Sequence, residues 1–518
     1  MNNGMTVPCV IRFNSRRRVT LPRACSACVP CATLREANEC ESANLFLRTT
    51  YKLINPRVVQ LKRIGESTLR RTLLIALLSA LLCLGIAAQT PRPAQGVPGG
   101  VPGGVPGGLV VSIEVRQETF DIVWRTVKER HFDPTLGGLD WDKVREQYAP
   151  RAAAAKSDTE FYDVLRQMLG ELHQSHFNII PPEANAEDDS REPKGGAIGI
   201  DVRLVEGQPT ITRVEPGSRA ASAGLRSGFI IKKVDDATAD QIIGLFAKST
   251  ESQALRTLRI TRAFLRRIDG APETSVRITC LDERDQSREV TVIRERLKGE
   301  MSQRLGNFGP QYTEFEAKRL AGGIGYIRFN VFVVLLTDRI KGAIRGMSDA
   351  PGIIIDLRGN PGGVGAMAPG IAGVLGKEAT SLGTMTMRSG YTRFFVNPQP
   401  NPYLGPVVIL TDGGSASTSE ILAGGLQESG RAVVVGERTA GAALPSYIQK
   451  LPTGALFQFA IGDFKTPKGT LIEGRGVAPD VEVKLKRRAL LEGHDPQLDA
   501  AIEEITKRAQ GQPPRKAA

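Results

Sequence analysis

The sequence predicts a multidomain α+β protein with a helical unit first, a small β domain next and an α/β core last. Three observations predict it. Residues 112–182 carry apolar side chains at helical spacing, residues 195–297 alternate short strands with glycine-rich turns, and residues 298–485 alternate β-branched strands with helices. A chain of 518 residues is too long for one small domain, and 41% hydrophobic with 24% charged residues is the composition of a folded, water-facing protein.

The net charge of +13 raises the question of nucleic acid, but residues 1–89 alone contribute +9 of it. The body is only mildly basic, so nucleic acid is not an expected partner. Six of the seven cysteines also lie N-terminally: Cys9, Cys25, Cys28, Cys31, Cys40 and Cys83. Cys25, Cys28 and Cys31 have metal-ligand spacing, but they fall in a segment read as outside the working protein. No metal or cofactor is expected.

Residues 67–89 read as a secretory signal. Arg70-Arg71 precede an apolar run from Leu73 to Ala88, and Ala87-Ala88 close it. The run has sixteen residues, fewer than the roughly 20 that span a bilayer comfortably. An exported, periplasmic or secreted protein is therefore expected; membrane association through an uncleaved segment is the alternative. Residues 1–66 then read as an over-extended translation start. Residues 90–111 repeat Val-Pro-Gly-Gly, a linker that cannot bury a core.

The helical unit is set at 112–190. One amphipathic segment carries Val115, Phe120, Ile122, Val123 and Val127; another carries Phe161, Val164, Leu165, Met168 and Leu169. Asp133 to Gly138 turns between them, and the unit ends at Leu172-His173-Gln174-Ser175-His176-Phe177. The β domain is set at 191–297. It opens with the glycine loop Gly195-Gly196-Ala197-Ile198-Gly199-Ile200 and closes with the hairpin Ser275–Cys280 and Glu289–Ile293. Within it, 240–268 carries Arg256, Arg259, Arg262, Arg266 and Arg267 among Leu255, Leu258, Phe264 and Leu265. That pattern is a helix with a solvated basic face over a packed one; contact with an anionic membrane is the alternative.

The core is set at 298–485, with a C-terminal helix (497–509) and tail beyond it. Ile353-Ile354-Ile355 runs into Asp356-Leu357-Arg358-Gly359-Asn360-Pro361-Gly362-Gly363. Val407-Val408-Ile409-Leu410 runs into Gly414-Ser415-Ala416-Ser417-Thr418-Ser419-Glu420, which opens a helix. A small hydroxyl residue at a strand–turn–helix junction is where a nucleophile is exposed and where backbone N–H groups can hold an oxyanion.

With these motifs in place, the body at 112–485 resembles the C-terminal processing (tail-specific) and tricorn-type serine peptidases. The resemblance implies a PDZ-like β domain and a crotonase/ClpP-like core. It implies Ser417 as nucleophile, with an oxyanion hole from the N–H of Thr418 and of Gly362 or Gly363. It implies that the β domain adds an extended peptide beside its glycine loop, through Gly196, Ile198, Gly199 and Ile200. The processing branch uses a lysine as base, but Ala442 stands at that position, which excludes the usual Ser-Lys pair. The tricorn-type branch uses a Ser-His pair and a glutamate, which map onto Ser175-His176 and Glu473. His176 is then the general base and acid, with Ser175 and Glu473 orienting it. His173-Gln174 depart from the Gly-Asp that usually precedes the Ser-His pair. The expected function is an exported serine endopeptidase acting on proteins or peptides, favouring exposed C-termini. The alternatives are a catalytically inactive peptide- or ligand-binding relative and a membrane-anchored scaffold.

Overall fold

The computed structural model describes residues 111–182, 195–247 and 252–511. The N-terminal cysteines, the signal-like run and the Val-Pro-Gly-Gly repeat lie outside them. No described helix is long and apolar enough to cross a membrane.

Three helices open the described chain: Ile113–Arg130, Trp141–Ala153 and Asp158–Gly170. Each starts where a polar side chain accepts a first-turn N–H: Ser112 from Val115, Asp140 from Lys143 and Ser157 from Glu160. Such caps satisfy donors that the helix cannot satisfy internally. The first two helices are tied by reciprocal bonds, Trp124 Nε1 to Trp141 O and Trp141 Nε1 to Trp124 O. Phe120, Val123, Phe161, Leu165 and Met168 bury their side chains together with Leu444, Leu451, Phe457 and Phe459. The strand Asn178–Ile180 then pairs antiparallel with Leu456–Ala460. The helical unit is therefore not self-contained: its apolar core is completed by residues 444–460. His176 sits just before the strand that makes this join.

The middle unit is an antiparallel sheet in the order Ile200–Val205, Gln208–Val214, Ile230–Val234, Ser275–Leu281, Ser287–Ile293, with Ala237–Thr238 on the third strand. The helix Gln253–Ile268 covers it, burying Ile260, Phe264 and Ile268 among Val202, Ile211, Val276 and Ile278. Cys280 is buried in the same core as a free thiol, and burial pushes its pKa up to about 11, which makes it inert.

The core sheet runs Phe315–Arg319, Gly325–Phe329, Ile353–Asp356, Val407–Thr411, Val433–Gly436, Val481–Glu482. The first pair is antiparallel and the rest are parallel. Side chains alternate between its faces. Ile353, Ile355, Val407, Ile409 and Val434 meet Leu336, Ile340, Leu422 and Leu426 on one side. Ile354, Val408, Leu410, Val433 and Val435 meet Ala501 and Ile505 on the other. The C-terminal helix Pro496–Ala509 is thus the second layer of the core rather than an appendage. Ile353–Asp356 and Val407–Thr411 are parallel neighbours. Their glycine-rich turns consequently emerge side by side at one end of the sheet, where α/β folds place their sites. The middle unit docks on the core through charge: Arg203 Nε to Asp412 Oδ2 at 2.5 Å, and an Arg328 terminal nitrogen to Asp201 Oδ2 at 2.5 Å.

Candidate active site

The two turns are stitched together. Asp412 Oδ1 accepts the N–H of Gly414 and of Gly359, both at 2.8 Å. Ser415 Oγ donates to Leu357 O at 2.7 Å, and Ala416 N–H donates to Asn360 O at 3.0 Å. Ser419 Oγ also donates to Asn360 O at 2.9 Å. The result is a rigid platform from which Ser417 projects with φ 54° and ψ −116°, a conformation rare outside glycine. His176 has φ 61°.

Ser417 N–H donates to Glu420 Oε2 and to Ala442 O, each at 2.9 Å. Glu420 is fully buried and also accepts from Thr439 Oγ1 at 2.5 Å, Gly441 N at 2.8 Å and Ala442 N at 2.9 Å. Burial pushes its pKa up to about 7, and these donors oppose the rise. Glu420 thus fixes the 439–442 segment against the Ser417 turn.

The candidate oxyanion donors separate on hydrogen bonding. Gly362 N–H is committed to Asn360 Oδ1 at 2.9 Å. Gly363 N–H has no partner among the described residues, and its carbonyl accepts from Thr418 Oγ1 at 2.9 Å. Thr418 is the first helical residue, so its N–H has no carbonyl one turn back to bond. Gly362 is needed for another reason: a Cβ there would lie 2.7 Å from Ser417 Cβ and Thr418 N.

The structure brings Ser175, His176 and Glu473 together. Ser175 N–H donates to Glu473 Oε1 at 2.6 Å, Ser175 Oγ to Glu473 Oε2 at 2.8 Å, and Ser175 Oγ lies 2.7 Å from His176 Nδ1. With Glu473 ionised, the Ser175 hydroxyl proton is committed to it, so Oγ accepts from Nδ1–H. The lone pair then resides on Nε2, as a base requires. Glu473 Oε2 also accepts Ala443 N–H at 3.0 Å. The bond from Ser417 N–H to Ala442 O and the bond from Ala443 N–H to Glu473 therefore attach both halves of the site to adjacent residues. Among the described residues no hydrogen bond joins Ser417 Oγ to His176 Nε2. Burial raises the Glu473 pKa against the Ser175 and Ala443 donors.

The other histidines are elsewhere. His131 is buried against Phe132 and Phe177 and bonds Gln174 Oε1 at 2.9 Å, so Gln174 serves packing. His173 and His494 are exposed. The described residues hold no cluster of three or more potential metal ligands.

The sequence reading did not find what covers the site. Leu255 and Leu258, from the helix Gln253–Ile268, pack on Ala416, Ala440 and Ala442. Its apolar pattern marks a packed face but not the surface it packs on. Nor did that reading assign Glu420 a role, although Ser417 and Glu420 have capping-box spacing. Ala442 is buried in this contact, so Ala442→Lys would place an ammonium among apolar side chains. It is expected to destabilise the protein by about 2 kcal/mol or more, seen as a lower denaturant midpoint.

At the glycine loop, Gly196 N–H donates to Gly270 O at 2.9 Å. The Ile198 side chain is buried in the core. The N–H groups of Ile198 and Gly199 have no partner among the described residues, and Gly199 has φ 82°. Ile200 begins a strand at the edge of its sheet.

Residues 323–483 match the model of peptidase family S41, and residues 114–170 match the tricorn protease C1 domain. A carboxyl-terminal-processing protease of Synechocystis sp. is 27% identical over 392 residues, covering 74% of this chain and 85% of that one. Tricorn protease homolog 2 of Streptomyces coelicolor is 25% identical over 413 residues, 77% of this chain but 33% of that one. Among solved structures, the photosystem II D1 C-terminal processing protease aligns with TM-score 0.52 at 21% identity, covering 76% of this chain and 98% of that one. Mature CPAF aligns with TM-score 0.55 at 14% identity, covering 78% and 99%. With the Ser417 turn, its glycine-rich partner turn and these relatives in agreement, residues 323–483 are a domain of peptidase family S41, and the chain is similar to the carboxyl-terminal-processing proteases.

Proposed function

We propose that this chain is an exported serine endopeptidase in which Ser417 attacks the scissile carbonyl and His176 Nε2 takes its proton. The observation that carries the reading is the Glu473–Ser175–His176 hydrogen-bond chain, anchored to the residue next to the one that holds Ser417. Attack creates a tetrahedral oxyanion, which the N–H groups of Gly363 and Thr418 would receive; one such donor is worth about 3–4 kcal/mol. The protonated imidazole then passes its proton to the leaving amine, and the resulting acyl-enzyme is released by a water that His176 deprotonates in turn. Glu473 supports the transient positive charge through Ser175.

The middle unit is read as a PDZ-like domain and the core as crotonase/ClpP-like. Its edge strand Ile200–Val205 and the Ile198 and Gly199 amides suit an added peptide strand with a terminal carboxylate. The names of the processing-protease relatives support action near C-termini. Export rests on the basic and apolar pattern of residues 67–89.

A fluorophosphonate probe tests the nucleophile directly. Mass-spectrometric mapping is expected to find the adduct on Ser417, with matching loss of casein cleavage. A protein that binds tailed peptides but neither cleaves casein nor takes the probe would be the silent binder instead.

A further inference from the structure

The helix Gln253–Ile268 brings more than leucines to the site. Positions 255, 258, 259 and 262 share one helical face. Leu255 and Leu258 are seated on Ala416, Ala440 and Ala442, so Arg259 and Arg262 extend the same face beyond the nucleophile turn. Arg262 is only partly exposed. Among the described residues it has no hydrogen bond and no ion pair, and the charges acting on it are Arg266 and Arg259. Other enclosed arginines are satisfied, either by carboxylates (Arg203 with Asp412, Arg328 with Asp201, Arg358 with Asp356) or by backbone carbonyls (Arg294, Arg431). A guanidinium withdrawn from water without a counter-ion is unfavourable and calls for an anion.

We propose that Arg262, assisted by Arg259, is an anion subsite of the active-site cleft that binds a substrate carboxylate close to the scissile bond. Two sources share this chemistry: an Asp or Glu side chain near the cut, and a C-terminal carboxylate a few residues beyond it. The subsite deepens the peptidase reading by naming the charge class of its substrate.

It also ties substrate choice to the base. The charged groups facing His176 are Arg259 and Arg262 on this helix and, through Ser175, Glu473. Burial, then Arg262 and Arg259, push the imidazole pKa down to about 4. A carboxylate bound by the arginines offsets their charge and raises the basicity of Nε2. An acidic substrate thereby strengthens the base that activates Ser417 against it, whereas a neutral one does not.

The test uses full-chain protein carrying Ser417→Ala and fluorescein-labelled alanine–leucine nonapeptides. One series carries Glu or Gln at each position in turn; the other carries a free-acid or amide C-terminus. Anisotropy is expected to show at least one acid-for-amide pair in which the acid binds about tenfold tighter or more. Adding Arg262→Gln abolishes that ratio, adding Arg262→Lys retains part of it, and adding Arg277→Gln, on an exposed strand, retains all of it. The series that shows the ratio identifies the source of the carboxylate. Equal binding within every pair, or a ratio that survives Arg262→Gln, overturns the subsite. Because binding is read without cleavage, a wild-type protein that cuts nothing would overturn the peptidase reading and leave this result intact.

Discussion

Ser417→Ala is expected to lower the rate of casein cleavage by about 10^4-fold or more while leaving the thermal midpoint nearly unchanged. The two halves of this expectation have separate causes. Beyond a capping-box contact with the Glu420 N–H, the Ser417 side chain holds nothing in place, so the fold loses little when the hydroxyl is removed. Its backbone N–H, which donates to Glu420 and Ala442, is untouched by the substitution. The neighbouring serines should behave in the opposite way. Ser415 is buried and donates to Leu357 O, and Ser419 is buried and donates to Asn360 O. Alanine at either removes one of two donors to a buried carbonyl, and at position 415 it also strips the Asp412 N–H of its acceptor, at a cost of about 1–3 kcal/mol. Initial rates and melting curves on the three variants sort nucleophile from scaffold. Ser417→Ala protein that cleaves casein at the wild-type rate would remove Ser417 from the chemistry.

Much of this site was legible in the chain. Two β-branched runs ending in glycine-rich turns located two adjacent parallel strands of the sheet and the turn that carries Ser417. Ala442 is visible from sequence because its loop follows a recognisable strand, Val433–Gly436. Ser175-His176 and Glu473 were matched as motifs, and the structure brings them within hydrogen-bond distance across nearly 300 positions of sequence. What stayed hidden is non-local. No periodicity announces that Asn178–Ile180 will pair with Leu456–Ala460 and merge the helical unit with the core. The choice between Gly362 and Gly363 is equally invisible, because it turns on Asn360 capturing one N–H. The helix Gln253–Ile268 shows the same limit. Its amphipathic pattern reports two faces, while the identity of the packed surface, Ala416 and Ala442 beside the nucleophile, depends on how the middle unit docks.

His176→Ala should reduce cleavage by about 10^3-fold, within the range general acid–base catalysis supplies. Lys450→Ala should have no effect, because Lys450 is an exposed residue on the strand Ser446–Lys450. The pH profile carries the more specific signature. In the proposed mechanism the working form is the neutral imidazole, so activity should fall as His176 gains a proton. An ordinary histidine would impose that loss near pH 6.5. Here burial and the two arginines push the pKa down to about 4, so kcat/KM for a neutral peptide should hold as pH falls through 6 and 5 and drop only near 4. Removing the positive charge with Arg262→Gln should move this acid limb upward, toward the ordinary value. Glu473→Gln acts on the other nitrogen. It frees the Ser175 proton, so Oγ can donate to Nδ1 and shift the ring proton onto Nε2, the atom that must be bare. That variant should lose rate without a comparable loss of peptide binding. Full activity in His176→Ala would place the base elsewhere. An acid limb near 6.5 in wild type would mean that Arg259 and Arg262 do not bear on the imidazole when the enzyme works.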